Sequence, residues 1–262
     1  MVDETAGWLE HERYLTELEA DVRLFAGLVA EGDQAARVPS CPDWDLAELC
    51  RHQGMVHRWV TEVVRTGAQE RLGFDALPDP VMPDDADGRA DWLRRGGLAV
   101  AEELRKAGPD LRVWGWAWEQ NTRFWGRRMA HETMVHRLDA ELALGRAGKV
   151  PADLAADNID ELLHNAGAPA ARVYRNRDRL RGDGDTLHVH CTDTHGEWLL
   201  SRTPEGFRYE RGHAKADAAL RGPAAQLMEL LLNRHTSAVP NEVERLGDSA
   251  VIALWLDGLA FG

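Results

Sequence analysis

The chain has 262 residues, long enough for two domains of ordinary size, and 44% of them are apolar, enough for a real core. Lys and Arg total 31 against 44 Asp and Glu, a net charge of −13 whose field repels nucleic acid, and no basic run offsets it. Cys41, Cys50 and Cys191 are odd in number and form no C-x-x-C pair; that argues against a disulfide framework and for a reducing, cytoplasmic setting.

The acidic start, MVDETAGWLEHERY, lacks the apolar run of a signal peptide, and no stretch approaches the roughly 18 apolar residues of a membrane span. From about Trp8 to Val29, Leu15, Leu18, Val22, Phe25 and Val29 recur at steps of three and four, which predicts a helix closed by Gly32. A second helix follows VPSCPDW: Asp45 is its N-cap, Glu48 completes a capping box, and Trp44 and Leu49 staple across it. It is expected to run to Arg65. A proline-marked loop separates it from a third helix, about Asp87 to Lys106. The aromatic segment VWGWAWEQ precedes a fourth, about Asn121 to Leu144. Four such helices joined by a long second connection predict a bundle.

Pro151 marks a linker, and a further helix is expected from Asp153 to Asn165. After Gly182 the period changes to two. Leu187, Val189 and Cys191 alternate with His188 and His190, Thr194-His195-Gly196 turns the chain, and Trp198 and Leu200 continue on a partner strand. FRYER and ADAAL are further strand candidates, and AAQLMELLLNR and SAVIALWLDGLA are helical. The fold expected is an α bundle over residues 1–149 followed by a small α+β sandwich domain over 150–262.

The fourth helix carries the chemistry. Glu132, His136 and Asp139 stand at i, i+4 and i+7, on one stripe with Trp125 and Met129, so the stripe faces the core. Polar groups there need a partner, and a metal ion is the simplest one. His52 lies on the stripe of Leu49, Met55, Val56 and Trp59 in the second helix and points inward too. His57, five residues on, is expected to face elsewhere. A bland reading stands beside this: an inward histidine is more often a hydrogen-bonded core residue, and Glu–His pairs at i, i+4 occur on ordinary helices. HETMVH is not the zinc-protease motif, because Val135 fills the place of its second histidine. His188 and His190 share a strand face able to bind metal, but strand alternation favours a solvated face. Trp114, Trp116 and Trp118 either line a ligand pocket or pack the core.

These residues also carry a resemblance. VPSCPDWDLAELCRHQGMVHRW and FWGRRMAHETMVHRLDAE resemble the two N-terminal motifs of the mycothiol-dependent maleylpyruvate isomerase family, within the DinB-like metalloproteins. HVHCTDTHGEWLL, followed by ALRGPAAQLMELLLNR, resembles that family's C-terminal domain. The resemblance implies a DinB-like four-helix bundle with an open metal site, most often zinc, held by His52, Glu132 and His136. It implies that Asp139 is a further acidic residue near the site, orienting a ligand or relaying a proton. Arg234, with Arg221 in reserve, matches an arginine that reaches the site, although Asn233 stands where glycine is common. The function implied is that of an enzyme using the thiol mycothiol for isomerisation of, or S-transfer to, a small electrophilic substrate. Metal-dependent hydrolysis and non-catalytic metal or ligand binding are the competing expectations.

Overall fold

The computed structural model describes residues 7–75, 77–168, 176–234 and 242–260. The chain divides into two compact units, 1–148 and 149–262.

The first unit holds four helices: α1 (His11–Glu31), α2 (Leu46–Arg65), α3 (Ala86–Ala107) and α4 (Thr122–Ala143). Side chains cap three of them. Asp45 Oδ1 accepts from Glu48 N at 2.9 Å, Asp85 Oδ1 from Gly88 N at 2.8 Å and Asn121 Oδ1 from Phe124 N at 3.1 Å. Each cap satisfies an amide that the first helical turn leaves without a partner. α1 packs on α3 and α4, and α2 packs on the same two. The predicted stripe of α1, from Leu15 to Val29, is buried without remainder. In α4 burial runs almost all round, from Thr122 to Ala140.

The histidine expected to face away from the core does not. His57 is fully buried, with Gln53 Nε2 at 2.8 Å and Thr133 Oγ1 of α4 at 2.9 Å from its Nε2. A bundle helix touches two neighbours, so its buried arc is wider than the single stripe used to place His52. The aromatic segment resolves in the same spirit. Trp114 packs edge-on to Trp59 and beside Trp125, and Trp116 packs on Phe124, whereas Trp118 is exposed.

The second unit opens with α5 (Ala152–Ala166) and a short 3-10 turn at Arg177–Leu180. Its strands are β1 (Thr186–Cys191), β2 (Glu197–Thr203), β3 (Gly206–Arg211), β4 (Ala218–Gly222) and β5 (Glu244–Gly247). α6 (Ala224–Leu231) and α7 (Ser249–Leu259) complete it. The sheet order is β3-β2-β1-β4-β5, with β1 and β4 parallel and the other pairs antiparallel. β5 is an addition to the strands expected: all four of its residues are exposed, so no apolar alternation announces it. Helices cover one sheet face. Trp198 Nε1 donates to Asp160 Oδ1 of α5 at 3.1 Å, and the Phe207 ring meets Trp255 of α7 at 5.7 Å. No helix among the described residues is long and apolar enough to cross a membrane.

Candidate metal centre

α2 contributes His52 and α4 contributes Glu132 and His136. One ligating atom from each lies within 4.8 Å of the other two. Glu132 Oε1 is the hub, 3.5 Å from His52 Nε2 and 3.4 Å from His136 Nε2. The imidazoles stand 5.1 Å apart and nearly perpendicular, and the Trp44 ring lies 4.8 Å from His52. His136 is buried while the His52 side chain is 31% exposed, so the cluster opens on the His52 side.

Two further contacts set the charges and the aim. Arg128 Nη2 donates to Glu132 Oε2 at 2.8 Å, one helical turn back. Burial alone would raise the Glu132 pKa; Arg128 first, then His136 and His52, outweigh it and hold the carboxyl well below its usual range. Asp139 Oδ2 lies 2.8 Å from His136 Nδ1, and Ser40 Oγ donates to Asp139 Oδ1 at 2.5 Å. The His136 pKa is lowered by burial but raised more by Asp139 and Glu132, to about 8. Asp139 is fully buried on the far side of His136 from Glu132 Oε1, so it holds a ring in place and does not itself line the cluster.

The donor set fits a divalent ion. Nitrogen and carboxylate ligands at about 2.0–2.2 Å from a tetrahedral ion stand about 3.3–3.5 Å from one another. The two separations from Glu132 Oε1 match that spacing, and His136 shows the carboxylate–histidine pairing typical of ligating rings. No cysteine joins the cluster, and burial raises the Cys50 and Cys191 thiols to about 12.

Arg234 and Arg221 belong to the second unit. Arg234 follows α6, is buried, and donates from Nη1 to Leu232 O at 3.0 Å. Arg221, on β4, is half-exposed and pairs with Glu244 of β5 at 3.2 Å. Asn233 adopts φ 56, the left-handed region that glycine favours and asparagine tolerates best among the rest. Three neighbours of the cluster escaped the sequence reading as site residues. Arg128 was within reach of it, four residues before Glu132 on the same stripe. Ser40 sits in a loop with no periodic signal, and Trp44 is placed by sequence only as half of a staple.

A four-helix bundle whose α2 and α4 bring two histidines and a glutamate together, followed by a small mixed-sheet unit, is the class of fold the chain shows. Residues 15–141, most of the first unit, match the family described as the mycothiol maleylpyruvate isomerase N-terminal domain. The crystal structure of the mycothiol-dependent maleylpyruvate isomerase superposes with a TM-score of 0.56 at 13% identity, over 89% of this chain and 96% of that one. The structure of that enzyme's H52A mutant, so named in its own numbering, gives 0.55 at 13% identity over the same shares. At such identity the likeness is one of fold. No curated protein matches the chain.

Proposed function

We propose that the protein is a thiol-dependent isomerase in which mycothiol and a small electrophilic substrate of the maleylpyruvate type react at the His52–Glu132–His136 centre. The observation that carries the reading is the convergence of these three donors, with His136 aimed by Asp139, inside the domain that matches the family. A divalent ion, zinc first among candidates, would be held by His52, Glu132 and His136; it supplies a net positive field and an open position that favour a thiolate over a thiol.

The chain's own residues do the rest. Arg128 keeps Glu132 ionised. Asp139 accepts the His136 Nδ1 proton, which turns the Nε2 lone pair toward the centre. Trp44 flanks the exposed edge of His52. Burial raises the Cys50 and Cys191 thiols to about 12, so neither supplies a thiolate near neutral pH, and the nucleophile in this reading is the external thiol mycothiol. Its sulfur adds to one carbon of the substrate's double bond, which becomes single and rotates; expulsion of the same thiol restores the double bond in the other geometry. Retention of the thiol would make the reaction an S-transfer. Within this proposal residues 1–149 hold the ion, and Arg234, with Arg221 in reserve, makes a charge-assisted contact to a carboxylate of thiol or substrate.

The test is turnover of maleylpyruvate by zinc-loaded protein with and without mycothiol. Turnover that requires the thiol, together with a thermal shift on adding mycothiol, supports the reading. Full metal loading with neither effect overturns it, and thiol-independent turnover moves the protein to metal-dependent hydrolysis. Arg234→Ala is expected to raise KM by about 10- to 150-fold, the loss of one hydrogen bond to a charged group, at unchanged metal content.

A further inference from the structure

A second cluster of ligating side chains lies in the mixed-sheet unit, and the function proposed above does not use it. On β1 and β2 the register sets His190 opposite Glu197. His188, two residues before His190, falls on the same sheet face. After β3 the chain passes Gly212, whose φ of 130 suits glycine and whose N–H donates to Glu197 O at 2.9 Å. That turn sets His213 over the same carboxylate. His190 Nδ1 is 2.9 Å from Glu197 Oε1, His213 Nδ1 is 3.0 Å from Glu197 Oε2, and His188 Nε2 is 3.5 Å from Glu197 Oε2. One nitrogen of each ring and one oxygen of Glu197 all lie within 4.8 Å of one another.

Strand alternation predicts a solvated His188, and the structure corrects it. The residue is only 6% exposed, and its Nε2, aimed at Glu197, makes no hydrogen bond. A buried ring nitrogen left in that state costs free energy unless something completes it.

We propose that His188, His190, Glu197 and His213 form a second metal site, one that takes a divalent late first-row transition ion, zinc or its neighbours. Three imidazoles and a carboxylate are the donors such ions prefer, and calcium or magnesium would demand more oxygen. The separations between the side chains bracket the roughly 3.3 Å edge of a tetrahedral site, so small rotations close it. Four protein ligands leave no open position. The role is therefore structural: the ion ties β1, β2 and the segment after β3 at one end of the sheet. His213, 78% exposed, is the ligand through which the ion enters and leaves.

The experiment uses the full chain carrying His52→Ala, Glu132→Ala and His136→Ala, stripped of metal and shown folded by circular dichroism. Cobalt(II) alone is titrated, followed by zinc in competition. The expected result is one equivalent of cobalt per chain with the intense visible bands of tetrahedral coordination, bleached by one equivalent of zinc. His213→Ala, which alters an exposed side chain and leaves folding intact, is expected to weaken binding by more than about 10-fold, the loss seen on removing even an outer partner of a metal ligand. His188→Gln is expected to abolish the tetrahedral bands. Absence of bound cobalt in the folded background protein overturns the site, as does an affinity indifferent to both substitutions. Because the bundle centre is deleted throughout, neither result depends on the function proposed for it.

Discussion

Glu132 divides its two oxygens among three neighbours, Arg128 on one and His52 and His136 on the other. The guanidinium makes the carboxylate permanently available and also competes for its charge. Arg128→Met is therefore expected to tighten zinc binding at this centre if competition dominates and to weaken it if ionisation of Glu132 limits. The depressed Glu132 pKa survives in part through His136 and His52, so tightening is the expected outcome in a zinc competition assay at neutral pH. Asp139→Asn keeps the shape around His136 but exchanges an ionised acceptor for a weaker neutral one. Zinc affinity is expected to fall about 10- to 100-fold with the fold unchanged. His57 gives the opposite kind of prediction, about stability alone. Burial depresses its pKa from 6.5 to about 3, so between those values the unfolded chain binds a proton that the folded one refuses. Stability is then complete above about pH 6.5 and falls as the pH drops toward 3. His57→Gln removes this contribution, and urea melts across that window are expected to show a shallower acid limb.

α2, which carries His52, approaches α3 closely, and glycine permits it. A Cβ built on Gly54 would stand 1.9 Å from Cζ3 of Trp92. Trp92 cannot yield, being fully buried, stacked under Arg58 at 3.9 Å and bonded through Nε1 to Asp79 O at 3.0 Å. Helix propensity favours alanine by about 1 kcal/mol, whereas overpacking of this kind costs about 1–3 kcal/mol or more. Gly54→Ala is expected to lower Tm by several degrees, measured by calorimetry, with zinc affinity falling beside it as His52 shifts. Much of this architecture can be read from residues alone. The stripe of α1, the cap at Asp45 and the inward aim of Glu132, His136 and His52 all follow from period and capping chemistry. His57 could not be read that way, because a single stripe is a poor description of a helix held between two neighbours. Ser40 and β5 were beyond reach for another reason: one is a loop contact made across 99 residues of sequence, and the other is an exposed edge with no apolar mark.

The two units have different characters, and their separation is testable. The first is wholly helical with its own core; the second is organised around a mixed sheet. A chain ended after Lys149 is expected to keep a helical circular-dichroism spectrum, since the first unit holds a core of its own. A spectrum dominated by β-structure would contradict the independence of the bundle. The order of the units was visible as a switch in period near Gly182. The His188 cluster was half visible: two histidines on a strand face were evident, but His213 and Glu197 join them only through sheet register, which no local pattern encodes.

The burial of α4 on nearly every side has a consequence for how the sequence is free to drift. α1 alternates protected and open positions, so a saturation scan there should show tolerance returning every three or four residues. From Phe124 to Ala140 that relief is nearly absent: buried arginines, histidines and acids fill the places where a surface helix would be permissive. Almost any replacement there either strands a charge or opens a hole. A fitness map of the whole protein should therefore show α4 as an unbroken band of intolerance, and lineages diverging from this chain should keep that helix recognisable long after the other three have changed.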